Sequence, residues 1–455
     1  MSMNKKIDFS GHGMRFGVAD SDLQVIGEAR CIEAEQSQPT MWSAFAQKNG
    51  LCPPNVGSYR YDRWEEDADL MASLGVKHYR TSISWARVLT ERDTPNEKAL
   101  KWYENFFKAL RAREILIYPT LYHWELPNLV AQEGGWRNRA TASRFLTHCK
   151  TVDDFLGDYV EEYFVLNEPS CAALFGYHRG IHAPGEKNLS GALEASHNLL
   201  LAQGLAIREL VGRRRKTSTV VNIQPAYAES ETPQDAEARR RSDGYWNRWF
   251  LDPLFLGSYP SEMVNLYGKA MPAFAAEDMN VIRAGELLNS LGLNYYNGEV
   301  VFADGSTELG YNRRAGGGPT NDLGWPVFVP PSYPSGLYDA LREVFFRYQN
   351  AGLNKIYITE TGLAKAPDSR EPLQDTARVQ FLKDHLLQAA AAIRSGVPLD
   401  AFFVWSFCDS FEWQDGHKPE SQFGLVCVDP VTAERTPKMS ALWYADVMKN
   451  RSFQM

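Results

Sequence analysis

Short apolar runs recur along the chain, each closed by a polar or glycine-containing turn. Eight of them read as β-strands: 14–19, 77–82, 116–122, 163–167, 217–223, 291–295, 355–359 and 401–407. Runs such as IYIT and AFFVWSF are continuous rather than alternating, the pattern of parallel strands buried on both faces. Between the strands, 61–74 sets Trp64, Ala68, Met71 and Leu74 near helical spacing, with charges on the other side and Gly75 as a stop. That pattern predicts an amphipathic helix lying on a sheet. Segments 104–110, 191–210, 338–348 and 375–393 read the same way. Eight strands alternating with helices predict an α/β fold, one (β/α)8 TIM barrel spanning 1–455 as a single catalytic domain. The long stretches 225–285 and 299–335 are then excursions at its rim.

Composition narrows the picture. The 455 residues would allow two or three domains, but α/β barrels commonly exceed 250 residues as one unit. No Gly/Ser-rich or Pro-rich linker and no internal repeat divides the chain. With 44% hydrophobic and 23% charged residues, disorder and coiled coil are excluded. The 48 basic against 56 acidic residues give a net charge of −8, which offers no general pull toward phosphate backbones or anionic lipid. Neither nucleic acid nor a membrane is an expected partner. The N-terminal MSMNKKIDFSGHGMRF lacks the apolar core of a signal peptide, and the most apolar region, 386–407, is interrupted by Arg394, Ser395, Pro398 and Asp400. It reads as a helix followed by a buried strand, and the expected compartment is the cytoplasm. The six cysteines (Cys31, Cys52, Cys149, Cys171, Cys408 and Cys427) are scattered, as free thiols are in a reducing compartment. His178 and His182 have metal-pair spacing, but they sit in a Gly- and Pro-punctuated loop without a third ligand, so a structural role is expected. No metal and no cofactor is implied. The basic runs 213–216 and 239–241 read as solvated ends.

Catalytic groups in such a barrel sit where the strands end. Tyr122-His123-Trp124 follows the third strand, Asn167-Glu168 the fourth, Asn294-Tyr295-Tyr296 the sixth and Glu360-Thr361-Gly362 the seventh. Trp405 ends the eighth and leads to Glu412-Trp413, and Arg80 lies on the second. Glu168 and Glu360 thus end strands three apart around the ring, where their carboxyl groups can face each other. Cleaving an acetal needs a proton for the departing oxygen and negative charge beside an oxocarbenium-like carbon, which two carboxyls in unlike environments supply. Glu360, near Arg80 and a tyrosine, is expected to stay ionised and serve as nucleophile. Glu168, beside an asparagine and aromatic side chains, is expected to hold its proton, acting first as acid and then as base.

The ordered motifs resemble the glycoside hydrolase family 1 β-glycosidases, over nearly the whole chain from Phe16 to Trp443. LYHWELP (121–127) is similar to the family's YHWDLP, VLNEP (165–169) to TFNEP, ITETG (358–362) to ITENG and WSFCDSFEWQDG (405–416) to WSLLDNFEW. YRTSISWARV (79–88), GYHRGIHAPG (176–185), HNLLLA (197–202), NRWFLDPLF (247–255), LNYY (293–296), NDLGW (321–325) and FGLVCVD (423–429) match as well. The resemblance implies a retaining double displacement with Glu168 as acid/base and Glu360 as nucleophile. It also implies a glycone pocket of Gln24, His123, Trp124, Asn167, Trp405, Glu412 and Trp413, with Arg80, Asn294 and Tyr296 supporting the nucleophile.

The chemistry of those residues suits a sugar. Glu412 can accept from two adjacent hydroxyls, Gln24 can both donate and accept, and Asn167 is expected to hold the 2-hydroxyl. Trp405 offers a face to the ring's C–H groups and Trp413 an indole N–H. Members acting on 6-phosphorylated sugars carry a small residue where Glu412 stands, so an unphosphorylated glycone is expected despite Lys418 and Ser421 nearby. Two motifs depart from the family. Thr361 replaces the asparagine after the nucleophile, and DLQVIGEA (22–29) replaces SYQIEGA with Ile26 at its acidic position. The loops 299–320 and 363–374 also look unusual. The expected activity is hydrolysis of β-O-glycosides, most simply β-glucosides, with a small-molecule β-glycoside or oligosaccharide as partner. A transglycosidase using the same intermediate and a non-catalytic carbohydrate-binding barrel are the alternatives.

Overall fold

The computed structural model describes residues 6–314, 333–364, 371 and 373–455. Its centre is a closed barrel of eight parallel strands: β1 (Arg15–Ala19), β2 (His78–Ser82), β3 (Leu116–Thr120), β4 (Tyr163–Asn167), β5 (Thr217–Asn222), β6 (Ser290–Asn294), β7 (Ile356–Glu360) and β8 (Leu399–Trp405). Strand β8 closes the ring on β1, with Ala401 opposite Arg15 and Trp405 opposite Ala19. All eight expected strands are present, with ends shifted by up to two residues. The eighth shifts most: it begins at Leu399, and the chain leaves the sheet after Trp405 rather than Phe407.

A helix follows each strand: α1 (Arg60–Ser73), α2 (Glu97–Ala112), α3 (Ala140–Leu156), α4 (Leu189–Gly212), α5 (Trp249–Leu256), α6 (Tyr333–Tyr348), α7 (Thr376–Arg394) and α8 (Met439–Asn450). Helix α2 starts seven residues before the expected 104, because its first turns expose Glu97, Lys98 and Lys101 and bury only the ridge of Ala99, Leu100 and Tyr103. Helix α3 is invisible to periodicity. Its threonines and Cys149 are weak helix formers, and His148, Thr151 and Asp153 sit buried among the apolar positions, breaking the stripe. The residues after β5 and β6 meet at the rim as a small sheet of Ala226–Ala228, Glu299–Ala303 and Tyr311–Arg313, packed by the helix Pro233–Asp243. Residues 315–332 of the expected 299–335 excursion, including NDLGW, lie outside the described residues, as do 365–370 and 372 of the 363–374 loop.

Inside the barrel, Tyr118, Phe164, Val220, Tyr357, Ala401, Phe403 and Trp405 form an apolar fill. Gly17 makes room for it: a Cβ there would stand 2.7 Å from the Phe403 ring and 2.5 Å from the His78 carbonyl oxygen. At the N-terminal end a polar lattice closes the floor. Arg15 donates to the Tyr118 hydroxyl at 3.1 Å and the Tyr357 hydroxyl at 2.8 Å and pairs with Asp400, while Tyr357 donates to Glu162 at 3.0 Å. Among the described residues no helix is long and apolar enough to cross a membrane.

Candidate active site

Strand β4 delivers Asn167 and then Glu168, whose N–H donates to the Val220 carbonyl at 2.9 Å. Glu168 has φ of 49°, the left-handed region that a residue with a Cβ occupies only when its surroundings hold it there. The chain then enters a π-helical stretch, Cys171–His178. Across the mouth, β7 ends on Glu360. Arg80 of β2 donates to Glu360 Oε1 at 2.5 Å and to Asn167 Oδ1 at 2.7 Å, and Tyr296 donates to Glu360 Oε2 at 2.8 Å. Asn294, the last residue of β6, donates to Glu168 Oε1 at 2.7 Å and Asn167 Oδ1 at 3.0 Å, while its own oxygen accepts from Thr359 at 2.7 Å. One chain of fixed donors therefore links both carboxyls.

The two carboxyls differ in surroundings. Glu168 is pushed up to about 7, first by burial and then by the facing Glu360; hydrogen bonds from Asn294 and Cys171 and the Arg80 charge oppose the rise. Both oxygens of Glu360 are instead taken by the Arg80 and Tyr296 donors. Burial, and then Glu360 itself, holds the Tyr296 hydroxyl well above its usual range, so it remains a donor. His123 is held well below its usual range by burial and then by Arg80, and it meets the Asn167 amide nitrogen at 3.2 Å. It is a neutral ring accepting at Nε2.

Glu168 and Glu360 line one cavity. On its far wall, Gln24 donates to the Phe411 carbonyl at 2.9 Å and to Glu412 Oε2 at 3.3 Å and accepts from Ser21. Glu412 is pushed up to about 8, by burial and then by Asp415. His123 stacks between Trp405 and Trp413, with interplanar angles of 22° and 18°, and Trp124 leans on Trp413 at 5.0 Å. This is a wall of aromatic faces beside a cluster of hydrogen-bonding groups.

Nine of the twelve expected site residues line the cavity: the two glutamates, Gln24, His123, Trp124, Tyr296, Trp405, Glu412 and Trp413. Arg80, Asn167 and Asn294 stand behind them as a buried support. Asn294 differs from expectation: its side chain serves Glu168 and Asn167, not Glu360, because Thr359 holds its oxygen and turns its amide toward β4. Asn167 has both ends of its amide engaged by Arg80, Asn294 and His123. Sequence reading missed Asn222 and Phe423, which also line the cavity, and Cys171 beside Glu168. Asn222 was legible as the polar end of β5, but the apolar run was read one residue too far, to Ile223.

The remaining candidates fall outside the cavity. His178 ends the π-helical stretch rather than lying in a loop, bridging Tyr245 at 2.7 Å and Glu308 at 3.0 Å, and His182 is buried against Trp42, Trp124 and Phe175. Lys418 is exposed and pairs with Asp415. The 213–216 run is less solvated than expected: Arg213 and Arg215 both pair with the buried Asp153. Thr361 is fully buried, its hydroxyl has no partner among the described residues, and its carbonyl accepts from the Trp405 N–H at 3.0 Å.

Paired carboxyls of unlike environment at the C-terminal mouth of a (β/α)8 barrel, faced by tryptophans and hydroxyl-reading side chains, define the glycoside hydrolase class. Comparison with known proteins places the chain within that class. Residues 8–453 match the model of glycosyl hydrolase family 1. A β-glucosidase of Agrobacterium sp. is 35% identical over 442 residues, covering 94% of this chain and 93% of that protein. A family 1 β-glucosidase structure from Thermotoga maritima superposes with a TM-score of 0.90 at 33% identity, covering 100% of both chains. A Thermotoga maritima β-glucosidase in complex with deoxynojirimycin superposes at 0.88, with 33% identity, 96% of this chain and 98% of that one. The chain belongs to glycosyl hydrolase family 1 and is a β-glucosidase-like glycoside hydrolase.

Proposed function

We propose that the protein hydrolyses unphosphorylated β-O-glucosides with retention, with Glu360 as nucleophile and Glu168 as acid/base. In the first step a Glu360 oxygen forms a bond to the anomeric carbon as the glycosidic C–O bond breaks. Its electron pair leaves with the aglycone oxygen, which takes the Glu168 proton. In the second, Glu168, now a carboxylate, takes a proton from water as the water oxygen displaces Glu360. The observation that carries this reading is the contrast between the carboxyls sharing one cavity: Glu168 pushed up to about 7, and Glu360 bonded by Arg80 and Tyr296. Arg80 neutralises the nucleophile, and Asn294 holds the acid/base in place.

The glycone is assigned to the wall of Gln24, His123, Trp124, Trp405, Glu412 and Trp413. A phosphorylated sugar needs cations, whereas Glu412 and Asp415 supply carboxyls and Lys418 is turned to Asp415, which supports a neutral sugar. β-Glucosides are favoured because the Agrobacterium and Thermotoga relatives are named β-glucosidases. The same reading takes 1–455 as one catalytic domain, which is supported by the pairing of Ala226–Ala228, after β5, with Glu299–Val301, after β6. It takes the cytoplasm as its compartment, which suits six unpaired thiols.

The test is hydrolysis of 4-nitrophenyl β-glucoside followed by proton NMR. β-Glucose is the expected first product, with activity lost in Glu360→Ala; α-glucose as first product would overturn the assignment.

A further inference from the structure

Behind the cavity, one arginine holds both the loop that follows the nucleophile and the loop that carries Phe423. Arg378, in the first turn of α7, is buried to 3% exposure. Its Nη2 donates to the Leu363 carbonyl at 3.1 Å and to the Gln422 carbonyl at 2.9 Å, and its Nε reaches the Leu363 carbonyl at 3.3 Å. Its Nη1 pairs with Asp375, which accepts from the Ser440 N–H at 2.8 Å and the Ser440 hydroxyl at 2.5 Å at the start of α8. Leu363 closely follows Glu360 in the chain, and Gln422 directly precedes Phe423, which lines the cavity. Both stretches are irregular backbone, so a side-chain donor takes the place of a ladder. A planar guanidinium serves two such acceptors at one fixed spacing, which an ammonium does not.

The two loops meet without slack. The Trp405 N–H donates to the Thr361 carbonyl at 3.0 Å, and a Cβ on Gly362 would stand 1.8 Å from the Trp405 carbonyl oxygen and 3.3 Å from Cδ1 of Phe423. The Phe423 ring in turn meets Tyr296 edge to face, with centroids 6.0 Å apart at 74°, and Tyr296 donates to Glu360 Oε2 at 2.8 Å. We infer that Arg378, held from behind by Asp375, is a positioning residue for the nucleophile: by fixing residues 361–363 and the Phe423 ring at one spacing, it seats Phe423 on Tyr296 and keeps the Tyr296 hydroxyl on Glu360, whose assignment as nucleophile is taken from the proposed function. The hydroxyl sits at the far end of a long side chain, so a small tilt of the ring carries it off the carboxylate. A misplacement of about 1 Å can cost on the order of 10²-fold in rate even when its origin is remote from the reacting atoms. Glu360 uses that donor twice per turnover, before it attacks and again when it leaves the sugar with its charge restored.

The experiment measures kcat/KM for 4-nitrophenyl β-glucoside in the wild-type, Arg378→Lys, Tyr296→Phe and the double variant. Arg378→Lys keeps a positive charge beside Asp375 and loses the fork that spans the two carbonyls. It is expected to lower kcat/KM by about tenfold in the wild-type background but by less than about twofold in the Tyr296→Phe background, where the hydroxyl it serves is gone. A merely structural arginine would lower kcat/KM by the same factor in both backgrounds; that result, or no loss in either, would overturn the inference. Should Arg378→Lys fold poorly, Asp375→Asn releases the guanidinium from behind while keeping an acceptor for Ser440, and the same pair of ratios is read. Labelling with 2,4-dinitrophenyl 2-deoxy-2-fluoro-β-glucoside counts competent sites in each protein and reads the underlying assignment separately. A fluoroglucosyl ester on Glu360 of the wild-type upholds the nucleophile whatever the Arg378 ratios are, and a label elsewhere, or none, removes the assignment itself.

Discussion

Replacing Glu168 by alanine should have consequences that depend on the leaving group. A glutamate at its ordinary value of 4.5 would be about 3% protonated at pH 6, whereas one pushed up to about 7 is about 90% protonated. Burial against Glu360 therefore enlarges the population of acid by roughly thirtyfold at that pH. General acid catalysis is worth about 10²–10⁴ in rate, on the order of 3–5 kcal/mol of barrier, wherever the departing oxygen needs a proton. Phenyl β-glucoside needs one, and its kcat/KM should fall by that factor in Glu168→Ala. 2,4-Dinitrophenyl β-glucoside does not, and its kcat/KM should stay within about tenfold of the wild-type while kcat drops, because water attack on the intermediate has lost its base. The assay is steady-state kinetics on a series of aryl glucosides of graded leaving-group acidity. The alkaline limb of the phenyl glucoside profile should also vanish in the variant. An equal loss of kcat/KM for every leaving group would refute the reasoning, since it would mean that Glu168 does no proton transfer in the first step.

Three further outcomes follow from other parts of the molecule. Glu412, pushed up to about 8, is about 90% protonated at pH 7, so a sugar that needs its carboxylate as acceptor should release about 0.9 proton on binding. Calorimetry of glucose binding in two buffers of different ionisation enthalpy measures this, and Glu412→Gln should abolish the release. Gly362 cannot carry a side chain, because a Cβ would stand 1.8 Å from the Trp405 carbonyl oxygen. Gly362→Ala should cost about 1–3 kcal/mol in urea unfolding and raise KM, since Trp405 must shift. His148 is fully buried, meets the Leu121 carbonyl at 3.0 Å through Nε2, and is held down at about 3 by burial. Its folded value lies below the unfolded value of about 6.5, so the stability it contributes is present above pH 6.5 and lost as pH falls toward 3. The urea midpoint should drop over that window, and less steeply in His148→Gln.

The barrel was legible because each strand is a continuous apolar run that stops on a polar residue, and in β4 and β7 the residues at the stop are the glutamates of the site. Helices α3 and α5 were not legible: polar residues sit in the buried stripe of α3, and α5 is buried from Trp249 to Phe255, so neither keeps the alternation of faces that periodicity detects. In the site, residue type sufficed where a side chain simply points inward, as with Trp405 or Glu412. It failed for Asn294, where the Thr359 hydroxyl decides which way the amide turns.

The closed floor beneath the pocket has a consequence for the order of events. With Arg15, Tyr118, Tyr357 and Glu162 knitted together under a packed aromatic plug, the floor is closed among the described residues, and what arrives or departs shares the passage at the mouth. The departing alcohol must clear that passage before a water molecule can take its place, and whatever lingers there longest is next in line for the glycosyl group.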